Sequence, residues 1–312
     1  MSVNSFRLSI IIPTLNGGSI LRETLKQLSL QSVQADELLI VDSSSTDETT
    51  TIAREFGADV TVIPRNEFDH GGTRSMAAKH ATGEILLFFT QDAVPASHNV
   101  IEELIAPFIN NDSIAICYGR QLPNKDASLF ATALRNFNYP EVSRVREFSD
   151  KEILGLKTAF VSNSCAAYRK EYLQKVEYFA EGLIFGEDTC CAGKLLKKGY
   201  KIAYVAEATV FHSHNYSIIG EFNRSFDIGV LHSSEYWLLE TFGRAEGEGF
   251  KYIRFEFSII ITKKKLYLLP AFFCRNYAKL LGYKLGTKYH VLPKWLLPKL
   301  SMSSSWWNKA GN

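Results

Sequence analysis

Along the first hundred residues, short apolar runs alternate with polar, helix-like segments. Leu8 to Ile12 is a five-residue apolar run that stops at Pro13-Thr14-Leu15-Asn16-Gly17-Gly18, a strand followed by a loop. Ser19 is placed to cap a helix over Ile20 to Ser29. A second run, Glu37 to Val41, precedes Asp42, and Ser45 with Glu48 has the spacing of a capping box for a helix through Phe56. Ala58 to Ile63 reads as a third strand, and Asp69-His70-Gly71-Gly72 opens a helix to about His80. Ile85 to Thr90 is a buried strand that ends at Gln91-Asp92, and Pro95 is expected to stop it from pairing further.

Strands alternating with helices on short loops predict an α/β fold, a mainly parallel, doubly wound sheet with helices on both faces. Right-handed crossovers then bring the carboxyl ends of these strands, with Thr14, Asn16, Asp42 and Asp92, to one edge, where open α/β sheets bind ligands.

Beyond Asp92 the pattern predicts a helix over about Ser97 to Ile109, a strand over Ile114 to Tyr118, and helical periodicity over Leu129 to Phe137. Ala159 to Val161 and Cys165 to Tyr168 read as short strands, and Arg169 to Val176 as a helix. Glu187 opens a helix to Lys198, Tyr200 to Val205 is a strand, and Ser217 to about Thr262 is helical.

Composition is that of an ordinary globular protein, 46% hydrophobic and 22% charged. The formal charge of +2 is unevenly spread: residues 251–312 carry twelve Lys/Arg against the single acid Glu256, leaving the preceding part acidic. The five cysteines lack metal-site spacing and fit buried thiols in a reducing cytosol. Met1 to Arg7 is polar, so no secretory signal is expected, and no apolar stretch reaches the roughly 18 residues of a membrane span.

Individually, the candidate residues have bland readings. Asp42 can hold a base or ribose, or form an Asx-turn; Thr14 and Asn16 can contact a nucleotide, or simply make a turn. Gly71-Gly72-Thr73-Arg74 can bring backbone N–H groups and a guanidinium to a phosphate. Glu187-Asp188 at a helix start suits the helix dipole, or provides a general base. His212 and His214, if in a strand, point to opposite faces, so at most one joins a given site. Neither a GxGxxG after the first strand nor a GxxxxGK[ST] loop is present.

Taken together and in order, LSIIIPTLNGG, LLIVDSSSTDET, HGGTRSMAAKHATGEILLFFTQDAVP, FGEDT with LLKKGY, and VFHSHNYS resemble the inverting glycosyltransferases of family 2, which have the GT-A fold. GRQLP at Gly119 and HNYSIIGEFNRSFDIG at His214 carry a narrower resemblance to rhamnosyltransferases of bacterial surface polysaccharides, such as O-antigen. The resemblance covers about residues 6–245.

The resemblance implies that Pro13, Thr14, Asn16 and Asp42 line a nucleotide pocket, Asp42 holding the base, and that Arg74 and Gln91 contact the donor. Thr90-Gln91-Asp92 takes the place of the DxD motif. Asp92, with His212, would then bind magnesium or manganese at the diphosphate, and Thr90 replaces the first acid. Asp188 would be the general base, with Glu187 and His214 supporting it or the acceptor. The implied donor is dTDP-β-L-rhamnose and the acceptor a glycan or lipid-linked glycan. A UDP-hexose or UDP-N-acetylhexosamine donor, or a non-catalytic sugar-binding role, are the alternatives.

The division expected is a catalytic domain over 1–245, its nucleotide half about 1–120 and acceptor half about 120–245, and a helical basic region over 246–312. In the latter, Lys263-Lys264-Lys265 precede Leu, Phe, Tyr and Trp interleaved with Lys/Arg, broken by Pro270, Pro293 and Pro298. This suits an anionic membrane surface, with Trp306-Trp307 at headgroup level, and so a peripheral protein on the inner face of the cytoplasmic membrane. Packing on the catalytic domain and a homodimer interface are the other readings; no motif supports nucleic acid.

Overall fold

The computed structural model describes residues 6–243 and 246–309. The expected boundary at 245/246 and the polar start at 1–5 lie outside the described residues. In chain order the strands are β1 Leu8–Thr14, β2 Glu37–Asp42, β3 Asp59–Val62, β4 Ile85–Phe89, β5 Val94–Pro95, β6 Ile114–Leu122, β7 Arg144–Arg146, β8 Cys165–Arg169 and β9 Lys201–Phe211. They form one sheet in the order β3-β2-β1-β4-β8-β6-β9-β5, with β7 also on β9. The pairings among β1 to β4 and that of β6 with β9 run parallel; β8 is antiparallel to both neighbours, and β5 and β7 are antiparallel to β9. The sheet is thus the mixed, mostly parallel sheet of the GT-A fold.

Strand alternation builds two cores. Leu8, Ile10, Ile12, Ile85, Leu87 and Phe89 face one side, which the helices Gly18–Ser29 and Val100–Asn110 cover. Ile11, Leu86, Phe88 and Tyr168 face the other, under the helices His70–His80 and Glu187–Lys197. All five residues of β4 are buried, as a strand covered on both faces requires. Each fully buried Leu or Phe contributes about 1.5–3 kcal/mol, so β4 is a rigid support for the Thr90-Gln91-Asp92 loop at its carboxyl end.

Several expectations change at the local level. Ser19 is not the cap of its helix: Gly17 is, and the Thr49 hydroxyl accepts the Gly17 and Gly18 amides at 2.7 and 3.2 Å. The Ser45–Glu48 box does not form, because Ser45 hydrogen-bonds Asp42 and the helix begins at Thr49. Pro95 does pair, in the short antiparallel β5, whose two-residue length and edge position tolerate the missing N–H. The strand expected over Ala159 to Val161 does not form: Ala159 ends a 3-10 turn that begins at Gly155, and the next two residues are irregular. The stretch over 217–262 is three helices, Ile218–Ser234, Trp237–Phe242 and Glu246–Thr262.

The basic region is joined to the catalytic core. Pro270 lies in the first turn of the helix Leu269–Gly286, where its missing N–H costs nothing, so it starts that helix. This helix lies directly on Ile218–Ser234: a Cβ on Gly286 would stand 2.0 Å from the Phe226 carbonyl oxygen, and one on Gly282 2.3 Å from that of Phe222. The chain then returns across the core. Trp307 is 7% exposed and packs on Phe226 and Tyr289, which corrects its placement at a membrane surface. Among the described residues, no helix is long and apolar enough to cross a membrane. Cys117, Cys165, Cys190 and Cys191 are buried free thiols, whereas Cys274 is exposed.

Candidate active site

At the carboxyl ends of β1, β2 and β4 lies a cavity of about 370 Å³. Pro13, Thr14 and Leu15 form its floor together with Ser43, Thr90 and Gln91. β1 and β2 pair Thr14 with Asp42, and the Thr14 hydroxyl donates to Asp42 Oδ1 at 2.9 Å. Asp42 also accepts the Ser45 hydroxyl at 2.6 Å and the Ser45 amide at 2.8 Å, and is fully buried.

Asp42 therefore holds the loop together and does not line the cavity. The next residue, Ser43, does, and its buried hydroxyl has no partner. Asn16 is likewise absent from the wall: at φ 48° it turns the loop, and its Oδ1 accepts the Thr46 amide at 2.9 Å. Gln91 lines the cavity, with its amide committed to Leu15, accepting its N–H at 2.9 Å and donating to its carbonyl at 3.1 Å. Thr90 lines it as well.

One side of the cavity is formed by Arg74, on the helix His70–His80, which Asp69 caps through the Gly72 amide. Gly71 is small for a packing reason and not to admit phosphate: a Cβ there would lie 1.8 Å from the Ala180 carbonyl oxygen. Arg74 is buried, donates to the His70 carbonyl at 3.0 Å and pairs with Glu187 at 3.2 Å, leaving its Nε–H without a partner. Glu187 thus anchors the guanidinium, and Asn163 Nδ2 donates to the same Glu187 oxygen at 3.0 Å.

Asp188 follows at the helix N-terminus, reached through Gly186 at φ 83°, the left-handed region glycine favours. Its Oδ2 accepts the Asn163 amide at 3.2 Å and its Oδ1 the Thr189 amide at 2.7 Å. Burial, and then the adjacent Glu187 carboxylate, push Asp188 up to about 7. Burial opposes ionisation of Glu187 as well, but Arg74, His70 and Asn163 outweigh it and hold that carboxyl below its usual value. The pair divides into a fixed anion and a carboxyl that exchanges its proton near neutral pH.

The third group corrects the expectation of opposed histidines. β9 ends at Phe211, so strand alternation does not extend through both rings, and His212 and His214 both turn to Asp92. Their Nε2 atoms lie 3.4 and 3.9 Å from the two Asp92 oxygens. Among the described residues these three are the one group whose ligand atoms could hold a metal ion, all within 4.8 Å of one another.

Burial works to raise the Asp92 carboxyl, but the His212 hydrogen bond and charge bring it down to about 2. Desolvation and the neighbouring His212 push His214 down, so its ring is neutral at pH 7 and presents a lone pair. His212 Nδ1–H donates to Gln121 Oε1 at 3.0 Å, an oxygen that also accepts from Arg135. That bond holds the ring with Nε2 toward Asp92, where a cation would replace the Nε2 proton. Two imidazoles and a carboxylate suit manganese better than magnesium. Asn163 and Gln121 went unnoticed in the sequence; Gln121 lies in the GRQLP string, and Asn163 had no local signal.

A cavity at the carboxyl edge of a mixed sheet, with carboxylates and an Asp-His-His group on the neighbouring loops, is an arrangement that suits a GT-A transferase. The family model "Glycosyl transferase family 2" matches residues 9–177. The O-antigen chain rhamnosyltransferase RfbN of Salmonella typhimurium is 41% identical over 97% of this chain and 96% of its own length. WbaN of Salmonella anatum, described in the same words, is 40% identical over 96% and 95%. The mannosyltransferase PcManGT of Pyrobaculum calidifontis, solved with GDP-Man and Mn2+, superposes with a TM-score of 0.57 at 16% identity, covering 98% of this chain and 86% of that one. The chain belongs to glycosyl transferase family 2, and it is a glycosyltransferase.

Proposed function

We propose that this glycosyltransferase moves L-rhamnose from dTDP-β-L-rhamnose to a growing, lipid-linked surface glycan, with inversion. The observation that carries the sugar assignment is the 41% identity to an O-antigen chain rhamnosyltransferase across nearly both full lengths.

The groups at the site account for the reaction. The Asp188 carboxylate takes the proton of the acceptor hydroxyl while that oxygen bonds to the anomeric carbon. The bond from that carbon to the diphosphate oxygen breaks, and its electron pair leaves on the diphosphate. One displacement inverts the centre. Arg74, held by Glu187, lines the donor cavity and carries positive charge for the diphosphate. Asp92, His212 and His214 would hold a divalent cation, which when bound neutralises charge on the leaving group.

The acceptor is assigned to the inner face of the cytoplasmic membrane, which the outer face of Leu269–Gly286 supports. Phe273, Tyr277 and Leu280 are exposed there at helical spacing, 62%, 67% and 53%, with Lys263-Lys264-Lys265 just before the helix. The test of the donor is transfer from a panel of dTDP-rhamnose, UDP-glucose, UDP-galactose and UDP-N-acetylglucosamine to a lipid-linked acceptor. Selective turnover of dTDP-rhamnose is expected; turnover of a UDP-sugar alone overturns the sugar assignment.

A further inference from the structure

The far wall of the donor cavity comes from the last described stretch of the chain. Met302, Ser303, Ser305, Trp306 and Lys309 line the cavity along with Thr14 and Ser43. This stretch is fixed in place. The Met302 amide donates to the buried Asp227 at 3.0 Å, and Trp307 is packed into the core. From that anchor the helix Ser304–Lys309 turns Trp306 and Lys309 to the cavity. Trp306 Nε1 donates to the Gly182 carbonyl at 3.0 Å, which sets the plane of the indole, and Lys309 Nζ donates to the Phe68 carbonyl across the cavity edge.

Deepening the dTDP-donor reading, on which this rests, we propose that Trp306 and Lys309 are donor-binding residues, contributed by the C-terminal helix to the nucleoside-diphosphate site. The indole gives a flat apolar wall for the nucleoside, and the ammonium adds positive charge to that of Arg74 for the diphosphate. The 246–312 region therefore completes the donor pocket as well as extending the fold.

The experiment compares wild type with Trp306→Ala, Lys309→Met and Lys309→Arg, using calorimetric binding of dTDP and steady-state kinetics with the donor. Trp306→Ala and Lys309→Met are expected to raise the dTDP Kd and the donor KM about tenfold each, with kcat within about twofold. Lys309→Arg should restore most of the affinity, and Lys309→Met should flatten the dependence of binding on salt. Wild-type-like Kd in both the Trp306→Ala and Lys309→Met variants overturns the proposal while leaving the donor reading intact. Wild type that binds no dTDP overturns the reading of the cavity as a dTDP-donor site, and this proposal with it. Lys309 is exposed, so its substitution tests the idea even if Trp306→Ala loosens the fold.

Discussion

Asp188 gives the sharpest test of the mechanism. A general base must be ionised, so activity should rise with pH through its value of about 7. One unit below that value about a tenth of the molecules carry the carboxylate, and one unit above about nine-tenths do, so kcat/KM should be roughly tenfold lower at pH 6 than at pH 8. Asp188→Asn keeps the shape, loses the base, and should lower kcat by about 10²–10⁴.

The neighbour supplies an internal control. Removing the Glu187 charge in Glu187→Gln takes away the second-largest cause raising Asp188, so the acid limb should move to lower pH even though Arg74 loses its partner. Stability should respond with the opposite sign. Because burial raises Asp188 above its unfolded value, its contribution to stability is present at low pH and lost as pH rises through about 7. Asp188→Asn should therefore melt higher than wild type at pH 8 while turning over far more slowly. Initial-rate assays from pH 5.5 to 8.5, with melting curves on the same samples, decide it. A flat profile in wild type, or an Asp188→Asn enzyme within threefold of wild-type turnover, refutes the assignment.

Asp92→Ala and His214→Ala should each weaken Mn2+ binding to the dTDP-bound enzyme by at least about tenfold, read by titration calorimetry, and Gln121→Leu should weaken it less, through loss of His212 orientation; equal affinity in all three would exclude this cluster as the cation site. Gly186→Ala places a Cβ 2.4 Å from Leu231 Cδ2 at a φ of 83°, and should cost about 2–4 kcal/mol in denaturant titration, with loss of activity; unchanged stability would mean that the Leu231 side chain moves aside freely. Phe273→Ser with Tyr277→Ser and Leu280→Ser should release the protein from anionic vesicles in co-sedimentation without altering its melting, since all three side chains are exposed. Undiminished sedimentation would remove the membrane surface, and a change from dimer to monomer would assign that face to a second copy.

The sheet was legible because its strands are short apolar runs ended by polar loops, and a buried strand such as Ile85–Phe89 needs no partner to be recognised. Details that depend on which elements meet were not. Asp42 has two readings in the sequence, a base or ribose contact and a turn former; its carboxylate turns inward to Thr14 and Ser45, and the cavity wall passes to Ser43. Asn163 became visible only when β8 brought its loop beside the helix at Glu187. The tail looked like a surface element because lysines and aromatics alternate there. Its docking depends on Gly282 and Gly286 meeting the backbone of another helix, a contact that sequence spacing cannot identify.

The departure at Thr90 takes a different meaning once His214 is placed. The motif expected there supplies two carboxylates; here a nitrogen would stand in for one of the oxygen ligands, from a residue 122 positions beyond Asp92 in the chain. The donor count is kept and the charge is not: one ionised carboxylate and a neutral His214 oppose a divalent cation with less negative charge than two acids would. Softer nitrogen ligands shift preference from magnesium toward manganese. The charge left unbalanced has to come from the donor's own diphosphate. A cation held by this cluster would then bind more tightly with the donor in place, and titration of Mn2+ with and without dTDP reads that difference.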